Sequence, residues 1–357
     1  MRAGLLPSLT ALGAVANALP ATDCANNANT AANGDVIIDS FQLYPESADF
    51  NKANGKTYMS VLYNASVAVY NADQNRIEDI ITFDRTLQPE FHASGVEVDP
   101  KQNQLSVAIN AGIAFDTQGE NVTGDNFLYK VALSGKPETL WKINLNDVTK
   151  GAYSGCQDMA HDNCGNTFVV CTYPGAIVKV NSNGQEAKLW YQSNYTRPGE
   201  KPIKAGLTGI VASGDLFIVN DAQANKLVSF KKRDGEGKRV EIPVSGLTGE
   251  TGDDGVYLPE KYGGKVLLTQ LSGKGTNVFV SKDGWKSAEF VKLIPSKYIS
   301  KQGFAVATVQ IKERIYGVIE YFMDAANKVP GTVAGNRTQF ELEDLTTQID
   351  ELVKGKI

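Results

Sequence analysis

Hydrophobic and polar positions alternate along this chain in short runs, and the runs come in groups. Thr57-Tyr58-Met59-Ser60-Val61-Leu62-Tyr63 and Ser66-Val67-Ala68-Val69-Tyr70 are two of them, and Ile77 to Phe83 is a third. The tight-turn sequence Ala53-Asn54-Gly55-Lys56 stands just before them. Period-two alternation bounded by Gly, Asn and Asp predicts short antiparallel strands. Three or four such strands in about 40 residues make one propeller blade.

The plan repeats. A second unit runs through His92 to Asp99, Leu105 to Asn110, Asn126 to Val131 and Glu138 to Leu145, with a Gly-rich loop over Ala111 to Asp125. The third uses Ser154 to Asp162, Thr167 to Thr172, Ala176 to Val180 and Glu186 to Tyr191, and the fourth Gly206 to Ala212, Leu216 to Asn220, Lys226 to Phe230 and Arg239 to Pro243. The fifth takes Gly255 to Leu258, Lys265 to Gln270, Asn277 to Ser281 and Ala288 to Leu293. The sixth takes Phe304 to Gln310, Arg314 to Tyr321 and Gln339 to Leu342. The inner turns, near Gly55, Asn103, Gly165, Gly214, Gly263 and Glu313, recur about every 50 residues. The pattern predicts an all-β fold, a six-bladed β-propeller over residues 35–343. The run Asp35 to Asp39 precedes the first blade and is expected to close the ring against the last. Residues 344–357 form a tail with an acidic, amphipathic helical pattern, expected to cap the surface.

Composition adds compartment and partner. Arg2, the apolar run Gly4 to Val15 and Ala16-Asn17-Ala18 read as a cleavable targeting segment over residues 1–18. The Asn- and Ala-rich stretch 19–34 is expected to be a flexible lead-in. The apolar run is too short to cross a bilayer, and no other stretch approaches that length. Sequons at Asn64, Asn121, Asn194 and Asn336 agree with the secretory pathway, ending outside the cell or in a vesicle. The net charge of -5 with no basic run argues against a nucleic-acid partner. Nothing in the sequence calls for an oligomer, so a monomer is expected. Cys24, Cys156, Cys164 and Cys171 predict at least one disulfide in an oxidising compartment, and three full pairings are open.

Ligands of propellers sit at one mouth of the central channel, where loops enter the innermost strands. That placement nominates Tyr44, Glu46, His92, Ser94, Gln157, Asp158, Thr208, Asp254 and Phe304. His92, Asp158 and Tyr44 are the candidates for acid or hydrogen-bonding chemistry; His92 as a loop histidine bonded to backbone is the competing expectation. His161, beside a β-turn, is expected on the rim. Aromatic residues near inner-strand ends, Phe115 and Tyr257 above all, suggest the walls of an apolar pocket. No nucleophile elbow and no phosphate-binding Gly-rich loop is present.

Glu46 and Asp254-Gly255 also resemble ligand positions of the calcium-dependent lactonase propellers. There the resemblance implies two Asn ligands, where this chain has Gln157 and Thr208. No metal and no other cofactor is therefore expected, and hydrogen bonds to loop backbone are the alternative for the two carboxylates.

Longer motifs carry a wider resemblance. Leu43-Tyr44-Pro45-Glu46, Val61-Leu62-Tyr63-Asn64-Ala65-Ser66-Val67, Gly95-Val96-Glu97-Val98-Asp99, Ala111-Gly112-Ile113-Ala114-Phe115-Asp116, Gly124-Asp125-Asn126-Phe127 and the run Tyr257 to Leu268 resemble a family of secreted fungal six-bladed propellers. That family includes a yeast skin-allergen (Mala s) type and the propeller of trichothecene toxin clusters. Hetero-Diels–Alderases of fungal tropolone–sesquiterpenoid pathways are similar as well. The resemblance implies either a lipid binder or a cofactor-free cyclase of terpenoid or polyketide intermediates. Such a cyclase needs shape, orientation and one or two hydrogen bonds. The expectation taken forward is a cyclase with a hydrophobic small-molecule substrate. A non-catalytic binder stands second and a calcium-dependent hydrolase third.

Overall fold

The computed structural model describes residues 34–195 and 205–357. The targeting segment, nearly all of the lead-in and Cys24 lie outside the described residues. Among the described residues the strands sort into six sheets, five of four strands and one of five. Each sheet is one blade, and the six form a β-propeller. The innermost strands are Pro45–Asn51, Phe91–Asp99, Ser154–His161, Leu207–Ser213, Val256–Tyr257 and Phe304–Ile311, in blades 1 to 6. The ring closes through Val36–Asp39, which pairs antiparallel with Gln339–Asp344 as the outermost strand of blade 6. That joint ties the two ends of the propeller together and covers the outer side of Gln339–Asp344.

The alternation in the sequence becomes two kinds of packing. Residues of one strand face fill the seam with one neighbouring blade, and those of the other face fill the opposite seam. Leu105, Val107 and Ile109 thus pack with Tyr58, Val67 and Val69 between blades 1 and 2. Phe168 and Val170 meet Phe217 and Val219 between blades 3 and 4. Blade 5 holds a strand absent from the sequence reading: Val244–Ser245 pairs parallel with Ala288–Pro295 at the outer edge. The C-terminal helix Thr346–Val353 buries Ile349 and Val353 against Ile294 and Ile315. No helix among the described residues is long and apolar enough to cross a membrane.

Cys156 and Cys171 face each other across the first two strands of blade 3 and form a disulfide. Cys164 is exposed and unpaired among the described residues. Pairing depends on strand register, which spacing alone does not supply.

Candidate functional site

Inner strands begin, and second strands end, on the same face of the ring, because neighbours run antiparallel. On that face every inner strand breaks step once. Register shifts fall between Pro45 and Ala48, Ala93 and Gly95, Cys156 and Asp158, Leu207 and Ile210, and Ala305 and Ala307. In blade 5, Asp253 N donates to Gln270 O and Gln270 N to Gly255 O, so Asp254 is skipped in the same way. A bulge leaves one residue unpaired and re-aims its side chain. The residues re-aimed here are Glu46, Ser94, Gln157, Thr208, Asp254 and Val306, one per blade, and all six line a single axial cavity.

In blades 1, 3 and 5 the residue after the bulge fastens its blade to the next. Ser47 Oγ accepts from Val96 N at 3.4 Å, and Asp158 Oδ2 accepts from Ile210 N at 2.9 Å. Gly255 N donates to Val306 O at 3.1 Å. At Gly95 the approach is so close that a Cβ would lie 1.8 Å from Gln157 O. Asp158 is therefore held by backbone amides, with Met159 N as its second donor, although it borders the cavity.

The cavity measures about 40 Å³, room for about one water molecule, and is walled by acids. Glu97 and Tyr257 also line it, and Tyr257 Oη accepts from Gln310 N at 3.0 Å. Burial pushes the Asp49 carboxyl up to about 6 and that of Asp158 up to about 7. Glu46, Glu97, Asp254 and Glu320 are raised well above the usual carboxylate range, first by desolvation. Like charges add to it: Glu320 acts on Glu46, and Glu46 on Asp254. Burial and like charge thus shift the carboxyl groups around the channel toward their protonated forms. Glu46 Oε2 and both oxygens of the fully buried Glu320 have no hydrogen-bond partner among the described residues.

The expected apolar pocket is not the channel itself, whose bulged positions are mostly polar. The aromatic residues stand above it. Tyr63, Phe115, Tyr173, Phe304 and Phe322 all lie at first-strand starts or second-strand ends, hence on the face where the channel opens. Phe115 packs edge-on to Tyr173 at 5.6 Å, and Phe304 meets Phe322 at 5.3 Å. Phe115 is carried by the short helix Ile113–Asp116, at the start of the Gly-rich loop. Tyr63 belongs to a 3-10 turn, Leu62–Asn64, that ends the second strand of blade 1. Its hydroxyl is raised by burial and by the nearby Glu320 and Glu46. Sequence reasoning left Tyr63 inside a strand; the only signal was that it follows the alternating run.

The remaining candidates divide. His92 lies under the rim, edge-on to Tyr63 at 5.2 Å, and burial lowers its basicity while Asp116 opposes this. Gly112 closes over the His92 ring, where a Cβ would come within 2.3 Å. Tyr44 is fully buried outside the cavity: its hydroxyl donates to Asp324 Oδ2 at 3.1 Å and accepts from Gly335 N at 3.1 Å. That places Tyr44 as a tie between blade 1 and the loop after Tyr321, itself locked by the Arg337–Asp324 ion pair. His161 lies at the opposite end of the inner strand from the mouth and turns into a blade seam.

For the lactonase-like reading, Gln157 Nε2 is committed to Thr208 O and Thr208 Oγ1 to Asp254 O. No three His, Cys, Asp or Glu side chains among the described residues gather so as to hold a metal ion. Asp254 Oδ2 accepts from the Ser272 side-chain hydroxyl at 3.0 Å rather than from loop backbone, and Glu46 Oε2 has no partner among the described residues.

Of the sequons, Asn194 and Asn336 are exposed and Asn64 is half-buried. Asn121 Oδ1 accepts from Thr123 N and Oγ1 within the mouth loop.

Residues 26–301 match a family model described as Mal s 1 allergenic protein-like. The chain belongs to the Mala s 1-like family. It is 31% identical over 337 residues to trichothecene biosynthesis protein 14 of Trichoderma arundinaceum, covering 90% of each chain. Core trichothecene cluster protein 14 of Fusarium sporotrichioides is 29% identical over 341 residues, with 91% of this chain and 88% of that one covered. The crystal structure of the major Malassezia sympodialis allergen Mala s 1 superposes with a TM-score of 0.74 at 19% identity, over 87% of this chain and 95% of that one. At that identity the likeness speaks for the fold.

Proposed function

We propose that the mouth binds an intermediate of fungal secondary metabolism, terpenoid or polyketide, and guides its cyclisation without a cofactor. The observation that carries this reading is the set of aromatic side chains, Phe115, Phe304 and Phe322 half-buried and Tyr173 buried, on the face where the channel opens, beside a cavity lined by Glu46, Glu97, Asp158 and Asp254. Aromatic walls at Phe115, Tyr173 and Phe304 hold an apolar skeleton in one orientation. The carboxyl groups of Glu46 and Asp254 and the Tyr63 hydroxyl offer hydrogen-bond donors fixed before the ligand arrives. With about 40 Å³ in the channel, the ligand lies across the mouth and only a polar group dips toward that cavity. Kinship with two trichothecene-cluster proteins supports a place in such biosynthesis. Secretory routing fits the buried disulfide.

The test is conversion of an uncyclised, oxygenated sesquiterpene of the trichothecene series, followed by chromatography against a buffer control. The protein is expected to accelerate ring closure, and Phe115→Ala and Glu46→Gln to slow it at least tenfold while both variants remain folded. Unchanged rates in both variants would sink this site. Tight, saturable binding with no product would favour the non-catalytic binder.

A further inference from the structure

A second cluster of titratable groups lies away from the mouth, in the seam between blades 2 and 3. Ser106 comes from the second strand of blade 2, Gln104–Ala111, and Lys130 from its third, Asn126–Ala132. Blade 3 supplies His161, at the end of its inner strand, and Thr167, at the start of its second, Thr167–Tyr173. Ser106, Lys130 and Thr167 are fully buried. Lys130 Nζ lies 3.0 Å from Ser106 Oγ, 3.1 Å from His161 Nε2 and 3.5 Å from Thr167 Oγ1. Ser106 Oγ is also 2.9 Å from His161 Nε2.

An ammonium group has three N–H donors and no acceptor. Here it meets three acceptors, two of them from the opposite blade. His161 fills its place only as a neutral ring with Nε2 unprotonated and the proton on Nδ1. A second proton at Nε2 of the half-buried His161 would set two cations about 3 Å apart, one of them the fully buried Lys130, and remove an acceptor from both Lys130 and Ser106. We propose that Lys130, His161, Ser106 and Thr167 form an acid-sensitive latch that holds blade 2 to blade 3 and lets go when His161 takes up a proton.

The charges around the latch have fixed places. Glu97 and Asp99, on the inner strand of blade 2, face Lys130 and favour its charged form. On blade 3, Asp162 stands next in the chain to His161, with Lys179 at 3.9 Å. Burial, and then the Lys130 charge, hold the His161 ring well below its ordinary 6.5. The unfolded chain takes that proton near 6.5 and the folded seam refuses it. The unfolded state therefore binds more protons below that pH, and the latch loses strength as pH falls. The acids of the channel run the other way, but they are common to every variant compared below. The far end of the same seam bears on the mouth, where Asn110 Nδ2 donates to Cys156 O at 3.0 Å and Phe115 rests on Tyr173.

Hydrogen exchange on the full chain at pH 7 and pH 5, corrected for intrinsic rates, tests the latch. Amides of Gln104–Ala111 and Thr167–Tyr173 are expected to lose at least tenfold in protection at pH 5. His161→Gln, which stays neutral, should abolish that loss. An equal loss in His161→Gln, or none in the parent, overturns the proposal. Imidazole NMR covers the case in which that variant does not fold, and with two histidines in the chain assignment is simple. His161 should hold the Nδ1–H tautomer through pH 5.5, and Lys130→Met should raise the pH at which it titrates. Ordinary titration of the parent near 6.5 with unchanged exchange also overturns the latch.

Discussion

Glu320 has no exposed surface, no side-chain hydrogen-bond partner among the described residues and the Glu46 carboxyl as a neighbour. A buried polar group without a partner costs stability, and such groups gather where a protein binds or reacts. In the folded chain Glu320 keeps its proton well above 4.5, whereas the unfolded chain releases it near that value. The folded state thus binds more protons at neutral pH, and stability falls as pH rises. Glu320→Gln removes this dependence. The variant should be more stable than the parent at pH 7 by on the order of 1–3 kcal/mol, with the gap closing at pH 4. Denaturant midpoints at the two pH values check this; an equal gap at both would refute it. Asp49 and Asp158, raised to about 6 and about 7, add the same trend between 3.8 and 7. Gly95→Ala should cost about 1–3 kcal/mol or more, since a Cβ there collides with the Gln157 carbonyl, and its melting temperature should fall accordingly.

The bulge is what turns an ordinary blade edge into a site. It places one side chain per blade on the axis and, in blades 1, 3 and 5, makes the next residue the fastener to the neighbouring blade. The disulfide secures this arrangement in blade 3, because Cys156 directly precedes the bulged Gln157. The double variant Cys156→Ala, Cys171→Ala closes no loop and should lose about 3 kcal/mol in a chemical-denaturation midpoint. Much of this level was legible beforehand. Alternation placed the strands, and of the inner-strand entries expected at the channel Glu46, Ser94, Gln157, Asp158, Thr208 and Asp254 line one cavity, while Tyr44, His92 and Phe304 do not. What alternation cannot reveal is where it breaks. Val244–Ser245 is too short to show a period, and Tyr63 leaves its strand through a 3-10 turn that its apolar neighbours conceal. Tyr44 was misplaced for a related reason: its left-handed backbone, φ 38°, turns it toward Asp324 and away from the axis.

At the scale of the molecule, the ring is closed by one strand from the start of the propeller. Val36–Asp39 supplies the outermost strand of blade 6, and its Asp39 reaches Gln339 across 300 positions of sequence. Removing residues through Ser40 would expose the length of Gln339–Asp344. The expected outcome is a shift to larger species than the full chain in size-exclusion chromatography and a lower, broader melt. A truncated chain that eluted with the full chain's size and melted unchanged would show that the closing strand is dispensable.

The same closure sets a schedule for synthesis. The strand that seals the ring is made before any blade, and its partner some 300 residues later. At roughly 5–20 residues per second, about 15–60 s separate the two. Through that interval Ile38, which ends fully buried, has no blade to enter, and the nascent chain carries an unmatched strand at its leading end. The newborn protein is thus a row of blades awaiting a clasp, open for most of its translation to chaperones and to strand exchange with a neighbouring copy.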